Sequence, residues 1–117
     1  DIIEVVRIKN SLSKRGDFLK KIFTDKEIEM FRSKGNNPKT IAGNFAAKEA
    51  ISKSLGLGIR GYNFKDIEIL RDNLGKPIVT TYNNLKEICI QYSVLDIKVS
   101  ISHTDNYAVA NAITITK

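Results

Sequence analysis

Apolar positions in the first third of the chain follow mostly helical spacing. Residues 1–8, DIIEVVRI, are apolar and β-branched enough to predict a strand that runs into a helix. Residues 11–23, SLSKRGDFLKKIF, carry their large apolar side chains at the spacing of one helical face. Thr24 and Glu27 have the spacing of a capping box, so a second short helix is expected to begin there and to end near Gly35.

The longest predicted helix runs from about Pro38 to Leu55. Asn37 can cap its first turn, and Pro38 can occupy the first helical position, where a missing N–H costs nothing. Gly56 supplies the stop signal, because glycine is favoured just past a helix end. This helix contains the run FAAKEAIS, residues 45–52, in which an acidic side chain interrupts small residues.

Beyond this helix the pattern changes to a period of two. Alternating segments predict strands at residues 66–70, 77–81, 97–102 and 107–115. DNLGKP has the composition of a turn between the first two strands, and NNLKEICIQYS predicts a short helix after the second. Helices followed by mostly antiparallel strands indicate an α+β fold, in which N-terminal helices and one long helix pack on a mostly antiparallel sheet.

Composition limits this architecture to one domain, residues 1–117. The chain has 117 residues, of which 42% are hydrophobic and 27% charged, enough for one real core and too few for two. Cys89 is the only cysteine, so an intramolecular disulfide framework is excluded and a small buried hydrophobe is expected there. No apolar run approaches the roughly 20 residues that span a bilayer, and no signal-peptide pattern opens the chain, so we expect a cytoplasmic protein. Because the sequence starts at Asp1 without an initiator methionine, we expect upstream residues to have been removed or left out.

The net charge of +6 is unevenly distributed. Basic residues dominate the segment from Arg7 to Lys26, which contains Arg7, Lys9, Lys14, Arg15, Lys20, Lys21 and Lys26 against two aspartates. Such a face suits an acidic partner, either nucleic acid or an acidic protein. The alternative is a charged surface that only contacts solvent.

Glu49 raises the first question of chemistry. On a helix, Glu49 shares one face with residues that are mostly small: Ala42, Phe45, Ala46, Ser52, Lys53 and Gly56 lie within about 60° of it. A partner can approach such a face closely, and a carboxylate there must be paired, neutral or bound to a cation. The alternative is an ordinary surface ion pair between Glu49 and Lys53, one helical turn apart.

Two further polar residues bear on this site. His103, the only histidine, follows a predicted strand in SISHTD, where it is either structural or part of an active site. Asp1 opens another apolar strand and can supply a second carboxylate. Two carboxylates without cysteines or paired histidines cannot form a closed zinc site, but they suit Mg²⁺, which also takes waters and substrate phosphates as ligands. The residues alone thus lead to a hypothetical magnesium and phosphate site.

Several motifs resemble a known family. They occur in its order and approximate spacing: DIIEVVRI, IFTDKEIEMF, IAGNFAAKEAISKSLGLGI, DIEILRDNLGKP and VSISHTDNYAVANAI. Together they resemble the bacterial holo-[acyl-carrier-protein] synthases, the short 4′-phosphopantetheinyl transferases, over almost the whole chain. The acidic residue in FAAKEAISK, with the upstream DI and the downstream SISHT, is the most specific part of this resemblance.

The resemblance implies a Mg²⁺-dependent enzyme and its partners. It implies transfer of the phosphopantetheine group of coenzyme A to a serine of an acidic apo acyl carrier protein, with release of adenosine 3′,5′-bisphosphate, in support of fatty acid biosynthesis. It also implies a homotrimer with active sites at subunit interfaces, and neither nucleic acid nor a membrane as partner.

The resemblance assigns roles at the chemical centre. Asp1 and Glu49 match the two protein ligands of Mg²⁺, and Lys53 matches a lysine that neutralises or protonates the departing phosphate. His103 matches a histidine near the coenzyme A phosphates. The base that accepts the serine proton is either Glu49 or a water held by the metal.

Around that centre, the resemblance assigns binding residues. Gly56 and the turn Gly75-Lys76-Pro77 match positions where the nucleotide approaches the backbone, while Lys53 and His103 also contact coenzyme A. Arg7, Lys14 and Arg15 belong to the helix that binds the carrier protein. Asn44 replaces the arginine that is common in the family, so one cationic contact to a phosphate is either missing or supplied by Lys39 or Arg60.

Two other classes of protein remain as alternatives. A basic nucleic-acid-binding module would use the same Arg7–Lys26 face, but it would not need Glu49 and Lys53 on a face of small residues. A non-catalytic interaction module would leave Glu49, Lys53 and His103 replaceable.

Overall fold

The computed structural model describes residues 1–14, 17–57 and 60–117, and it alternates short helices with antiparallel strands. In chain order the elements are β1 (Ile2–Glu4), α1 (Val5–Lys14), α2 (Phe18–Ile22), α3 (Asp25–Ser33), α4 (Pro38–Ser54), a 3₁₀ turn (Phe64–Asp66), β2 (Ile67–Arg71), β3 (Pro77–Thr81), α5 (Asn83–Gln91), β4 (Val94–His103) and β5 (Tyr107–Thr116). Within these ranges no helix combines the length and the apolar composition that crossing a membrane requires.

The first strand is shorter than the sequence predicts. It ends at Glu4, and residues 5–8 begin α1 although they are mostly β-branched. Val5 and Ile8, three residues apart, both lie buried on one helical face, and this packing overrides their strand propensity. The helix predicted over residues 11–23 is divided between α1 and α2, and Arg15 and Gly16 between them lie outside the described residues.

The predicted helix caps are confirmed. Thr24 Oγ1 accepts a hydrogen bond from the Glu27 backbone N–H at 3.2 Å, and Glu27 Oε1 accepts one from the Thr24 N–H at 2.9 Å. Asn37 Oδ1 accepts from the Lys39 N–H at 3.0 Å, with Pro38 at the first helical position of α4. Gly56 follows the end of α4 with φ of 76°, a left-handed conformation in which a side chain would be strained.

Within the described residues the strands form two antiparallel sheets, where the sequence predicted one. The larger has the order β1-β5-β4, and the smaller is the β2–β3 hairpin, whose ladder runs from Ile67 opposite Thr81 to Arg71 opposite Pro77. The predicted DNLGKP turn joins β2 to β3, and α5 is confirmed as the helix after β3. The hairpin packs beside β4, so the two sheets still enclose one core.

Helix α4 packs across the inner face of the larger sheet. A Cβ added at Gly43 would lie 2.8 Å from Ile101 Cγ2, so only glycine permits this approach of helix and strand. Ala42, Ala46 and Ser52 are buried in the protein itself. At these residues the close approach that small side chains allow is therefore made by the protein itself; on the same face, Glu49 is half-buried and Lys53 is exposed.

A buried ion pair fixes α4 against the rest of the fold. Lys48 and Glu27 are both fully buried, and Lys48 Nζ lies 2.7 Å from Glu27 Oε1. The same ammonium also donates to the backbone carbonyls of Ile22, Phe64 and Ile67. Burial raises the pKa of Glu27 and lowers that of Lys48, and their mutual attraction opposes both shifts.

We expect loss of this pair to destabilise the fold strongly. Lys48→Met leaves the Glu27 carboxylate buried without its ammonium, which should lower the free energy of unfolding by roughly 3–5 kcal/mol. Arg32→Met is the matched control, because it removes an exposed ion pair with Glu29 and should cost less than about 1 kcal/mol. Urea denaturation of both variants measures the difference, and equal stabilities would contradict a structural role for the buried pair.

Candidate functional site

Asp1 is fixed on the central strand β5 and forms an ion pair with α4. The Ala110 N–H donates to the Asp1 carbonyl at 2.8 Å, and the Asp1 backbone nitrogen donates in return to the Ala110 carbonyl. Lys53 Nζ lies 2.9 Å from Asp1 Oδ1, and the Asp1 side chain is only 13% exposed. The surface pair between Glu49 and Lys53 that the sequence left open is therefore replaced by an ion pair between Asp1 and Lys53.

The other oxygen of Asp1 lacks a partner. Asp1 Oδ2 is buried, and among the described residues it has no hydrogen bond. Burying a carboxylate oxygen without a donor is costly, so this atom can accept a further donor or a cation. Within the described ranges Glu49, one helical turn before Lys53, has no ion-pair partner either.

These two carboxylates fit a magnesium ion better than a closed metal site. In the part of the chain that the structure describes, no group of three or more histidine, cysteine, aspartate or glutamate side chains is placed to hold a metal. Mg²⁺ commonly takes one or two protein carboxylates and completes its shell with waters and substrate phosphates. The unpartnered Oδ2 of Asp1 and the unpaired carboxylate of Glu49 match that donor set.

His103 lies in a separate basic groove near the start of α4. The groove has a volume of about 220 Å³ and is lined by Lys34, Lys39, Thr40, Gly43, Arg71, Gly75, Pro77, Ile101 and His103. The structure thus brings together Gly75, Pro77 and His103, which the sequence assigned to coenzyme A. Lys76, between Gly75 and Pro77 in the chain, lines a neighbouring groove between β3 and β4, to which Pro77 also contributes.

The turn beside this groove is held by Asp72. Its Oδ1 accepts hydrogen bonds from the backbone N–H groups of Leu74 and Lys76, each at 2.9 Å, and these bonds hold the pKa of Asp72 below its usual value. Gly75 has φ of 87°, a conformation that glycine adopts without strain. The turn therefore presents Gly75 and Pro77 to the groove in a defined conformation.

The cations of the groove differ from those that the sequence indicated. Lys39 lines it, as expected, but Arg60 lies elsewhere. Arg71 and Lys34 were missed. Arg71 stands within the motif DIEILRDNLGKP, but the resemblance assigned no role to it there, and Lys34 lies outside the recognised motifs. Arg71 reaches the groove from the end of β2, and its Nη2 donates to Asn44 Oδ1 at 2.8 Å. The position that lacks the expected arginine thus contacts another arginine from a neighbouring strand.

Gly56 lies at a third location. Together with Leu57, Arg60, Ile88, Gln91 and Tyr92, it lines an open cavity of about 500 Å³ between the end of α4 and α5. The structure therefore does not bring Gly56 into the groove of His103.

The Asp1–Lys53 pair and the His103 groove are separated within one chain. Gly43 lines the groove and Lys53 pairs with Asp1, and their separation of ten positions corresponds to about 15 Å along the axis of α4. Asp1 directly precedes β1 and His103 ends β4, and these are the two opposite edge strands of the larger sheet. Both clusters nevertheless adjoin α4.

The predicted carrier-protein residues lie on α1. Arg7 and Lys14 are exposed there, while the buried Val5 and Ile8 hold the helix against the core. Within the described ranges neither Arg7 nor Lys14 forms an ion pair, so both charges face solvent. Arg15, the third predicted residue, lies outside the described residues.

Comparisons with known proteins give a consistent result. The family profile described as "ACPS: 4'-phosphopantetheinyl transferase superfamily" matches residues 1–112. The holo-[acyl-carrier-protein] synthase of Alkaliphilus oremlandii (strain OhILAs) is 50% identical over 115 residues, which cover 98% of this chain and 94% of that protein.

Solved structures are similar as well. The Helicobacter pylori holo-[acyl-carrier-protein] synthase in complex with coenzyme A has 31% sequence identity and a TM-score of 0.86, covering 98% of this chain and 96% of its own. The Neisseria meningitidis holo-[acyl-carrier-protein] synthase has 31% sequence identity and a TM-score of 0.92, covering 99% of this chain and 94% of its own. These neighbours confirm the predicted α+β fold.

Proposed function

The chain belongs to the 4′-phosphopantetheinyl transferase superfamily and is a transferase of the holo-[acyl-carrier-protein] synthase type; on that premise we propose a Mg²⁺-dependent reaction with defined residues. In this proposal, phosphopantetheine moves from coenzyme A to a serine of an acidic apo acyl carrier protein that serves fatty acid biosynthesis, and adenosine 3′,5′-bisphosphate is released. Family membership sets aside the nucleic-acid-binding and non-catalytic alternatives. The predicted cytoplasmic location stays a prediction.

The observation that carries this proposal is the buried, unpartnered Oδ2 of Asp1 beside Lys53. Asp1 and Glu49 would hold Mg²⁺, which when bound would offset negative charge on the phosphate oxygens and orient them for displacement. Lys53 holds Asp1 through its other oxygen, Oδ1, so Oδ2 stays available. The exposed Lys53 ammonium can also stabilise negative charge that develops on the departing phosphate.

Two candidates for the base that accepts the serine proton remain in the proposal. One is Glu49, directly or through one water, and the other is a water held by the metal. The position of Glu49 on α4, one turn from Lys53, keeps this carboxylate and the ammonium on one side of the helix.

The basic groove of His103 is the proposed site for the coenzyme A phosphates. A relative with a TM-score of 0.86, the Helicobacter pylori synthase, was solved with coenzyme A. Lys34, Lys39 and Arg71 provide positive charge in the groove of this chain, and the turn at Gly75 exposes backbone to it. These features support binding of a phosphorylated nucleotide.

We further propose that neighbouring subunits complete each active site in a homotrimer. Within one chain, Gly43 at the groove and Lys53 at Asp1 are about 15 Å apart along the axis of α4, so a single subunit holds the two clusters at different turns of this helix. The outer face of the larger sheet also carries exposed apolar side chains: Ile2, Val109, Ile113 and Ile115. Ile2 and Val109 lie directly opposite each other across β1 and β5, and such a contiguous face supports association.

Removing the charge of Glu49 should stop the reaction without unfolding the protein. For Glu49→Gln we expect turnover to fall by roughly 10²–10³-fold, because charge stabilisation at the phosphate is lost. Lys53→Ala should also lower turnover. The measurement is Mg²⁺-dependent modification of an apo carrier protein, followed by mass spectrometry, together with melting temperatures.

Glu87→Gln on α5 is the matched control for this experiment, since Glu87 is exposed and undergoes the same chemical change. It should keep wild-type turnover. Near-normal turnover of Glu49→Gln at saturating Mg²⁺ would reject the metal site.

Charge reversal on α1 should weaken docking of the carrier protein. In Arg7→Glu with Lys14→Glu, we expect a KM for carrier protein that is roughly tenfold or more higher, a nearly unchanged KM for coenzyme A, and a weaker dependence on salt. Lys86→Glu on α5 serves as the control for changed net charge. If the KM for carrier protein and its salt dependence stay the same, this face of α1 only contacts solvent.

Subunit mixing tests the shared active site. Glu49→Gln and His103→Ala chains, each impaired alone, should regain about a quarter of wild-type activity when co-assembled, because random trimers restore that share of interfaces. Mixing Glu49→Gln with Lys53→Ala is the negative control, since both changes lie in the same half-site. Absence of recovery in the first mixture, or a fully active monomer by light scattering, would contradict the proposal.

A further inference from the structure

Arg71 is held in place more firmly than the other cations of the basic groove. It is the last residue of β2, pairs with Pro77 across the hairpin, and is only partly exposed. Its Nη2 donates to Asn44 Oδ1 at 2.8 Å. Its Nη1 lies 3.4 Å from the Leu70 carbonyl oxygen, which is at the weak limit of a hydrogen bond. One side of the guanidinium is thereby anchored.

Asn44, which anchors Arg71, is itself held by hydrogen bonds to buried groups of the core. It is fully buried on α4, and its Nδ2 donates to Glu27 Oε2 at 3.2 Å and to the Ile69 carbonyl at 2.9 Å. Because both acceptors require the NH₂ group on that side, the amide oxygen must face Arg71. The core therefore orients the Arg71 guanidinium through the Asn44 amide.

The two lysines that line the groove are held less firmly than Arg71. Lys39 Nζ pairs at 2.5 Å with Asp105, whose side chain is 87% exposed, and Lys34 has no ion-pair partner within the described ranges. None of the described residues that line the groove is acidic. Arg71 is thus the cation with a fixed direction in a groove that lacks a negative charge of its own.

A guanidinium in this setting suits a phosphate group. Its planar donors match two phosphate oxygens at once, and one partly removed from water gains more from such contacts than an exposed ammonium. Partial burial lowers the pKa of Arg71, but the side chain stays protonated at neutral pH.

We propose that Arg71 binds a phosphate group of coenzyme A in this groove and that Asn44 is the residue that positions it. The inference rests on the proposed function, and it assigns to this pair a recognition role that the metal-binding and leaving-group residues do not have. Arg71 contacts the substrate directly, whereas Asn44 acts through Arg71.

The first test is Arg71→Gln. It should raise the KM for coenzyme A by roughly tenfold to a hundredfold and change kcat much less, because a charged contact present in both substrate and transition state is lost. Arg32→Gln, the same change on the exposed surface of α3, is the matched control and should leave both constants unchanged. An unchanged KM for Arg71→Gln would overturn the inference.

The second test separates positioning from stability. Asn44→Ala should raise the KM for coenzyme A in the wild-type background, but not further in the Arg71→Gln background, whatever its effect on the melting temperature. Equal increases in both backgrounds would show that Asn44 acts independently of Arg71, and would overturn its positioning role. If Asn44→Ala does not fold, Arg71→Lys replaces it, because lysine keeps the charge but lacks the guanidinium donors that Asn44 orients. A wild-type KM for Arg71→Lys would likewise overturn that role.

A binding measurement distinguishes failure of this inference from failure of the proposed function. Calorimetric titration with adenosine 3′,5′-bisphosphate should show weaker binding to Arg71→Gln than to the wild type and Arg32→Gln. A wild type that transfers phosphopantetheine, with equal bisphosphate affinity in all three proteins, overturns the inference alone. A wild type without transfer contradicts the proposed function, and the titration still decides whether Arg71 binds phosphate.

Discussion

The buried contact between Lys48 and Glu27 is the constraint on which the rest of the structure depends. A fully buried ammonium must be surrounded by acceptors, and Lys48 meets this need by joining α2, α3, the 3₁₀ turn and β2 to helix α4. The contact sets the rotation of α4 about its axis. Because adjacent helical residues point about 100° apart, a core-facing Lys48 directs Glu49 away from the Glu27 side. The direction of Glu49, one of the two carboxylates proposed to hold Mg²⁺, is thus a consequence of packing on the opposite side of the helix.

Local signals along the chain were enough to predict much of the fold. The Thr24–Glu27 box, the Asn37 cap and the period-two strands each depend on residues that are near one another in sequence, so their physics is visible without a structure. The boundary between β1 and α1 was misplaced, because burial of Val5 and Ile8 depends on distant partners. The division into two sheets has the same origin, since hydrogen bonding between strands is a tertiary property.

The site was predictable to a smaller degree. Asp1, Glu49 and Lys53 emerged from helical geometry together with family resemblance, and the structure joins Asp1 to Lys53. The contact between Asn44 and Arg71 could not have been found in this way, because 27 positions separate them and neither periodicity nor capping links them. The resemblance did not say how the predicted residues are divided, and the structure places the Asp1–Lys53 pair and the His103 groove at different turns of α4.

The Glu27 carboxylate has a further consequence, which concerns the order in which the chain assembles. Its contact with Thr24 spans 3 residues, whereas those with Asn44, Lys48 and Ile69 span 17, 21 and 42. Closing a short loop costs less conformational entropy than closing a long one, so the helix cap is the first of these contacts that the chain can form at low cost. The carboxylate is then already oriented when the remote segments reach it. A local feature of four residues thereby orients a group to which distant parts of the chain later bind.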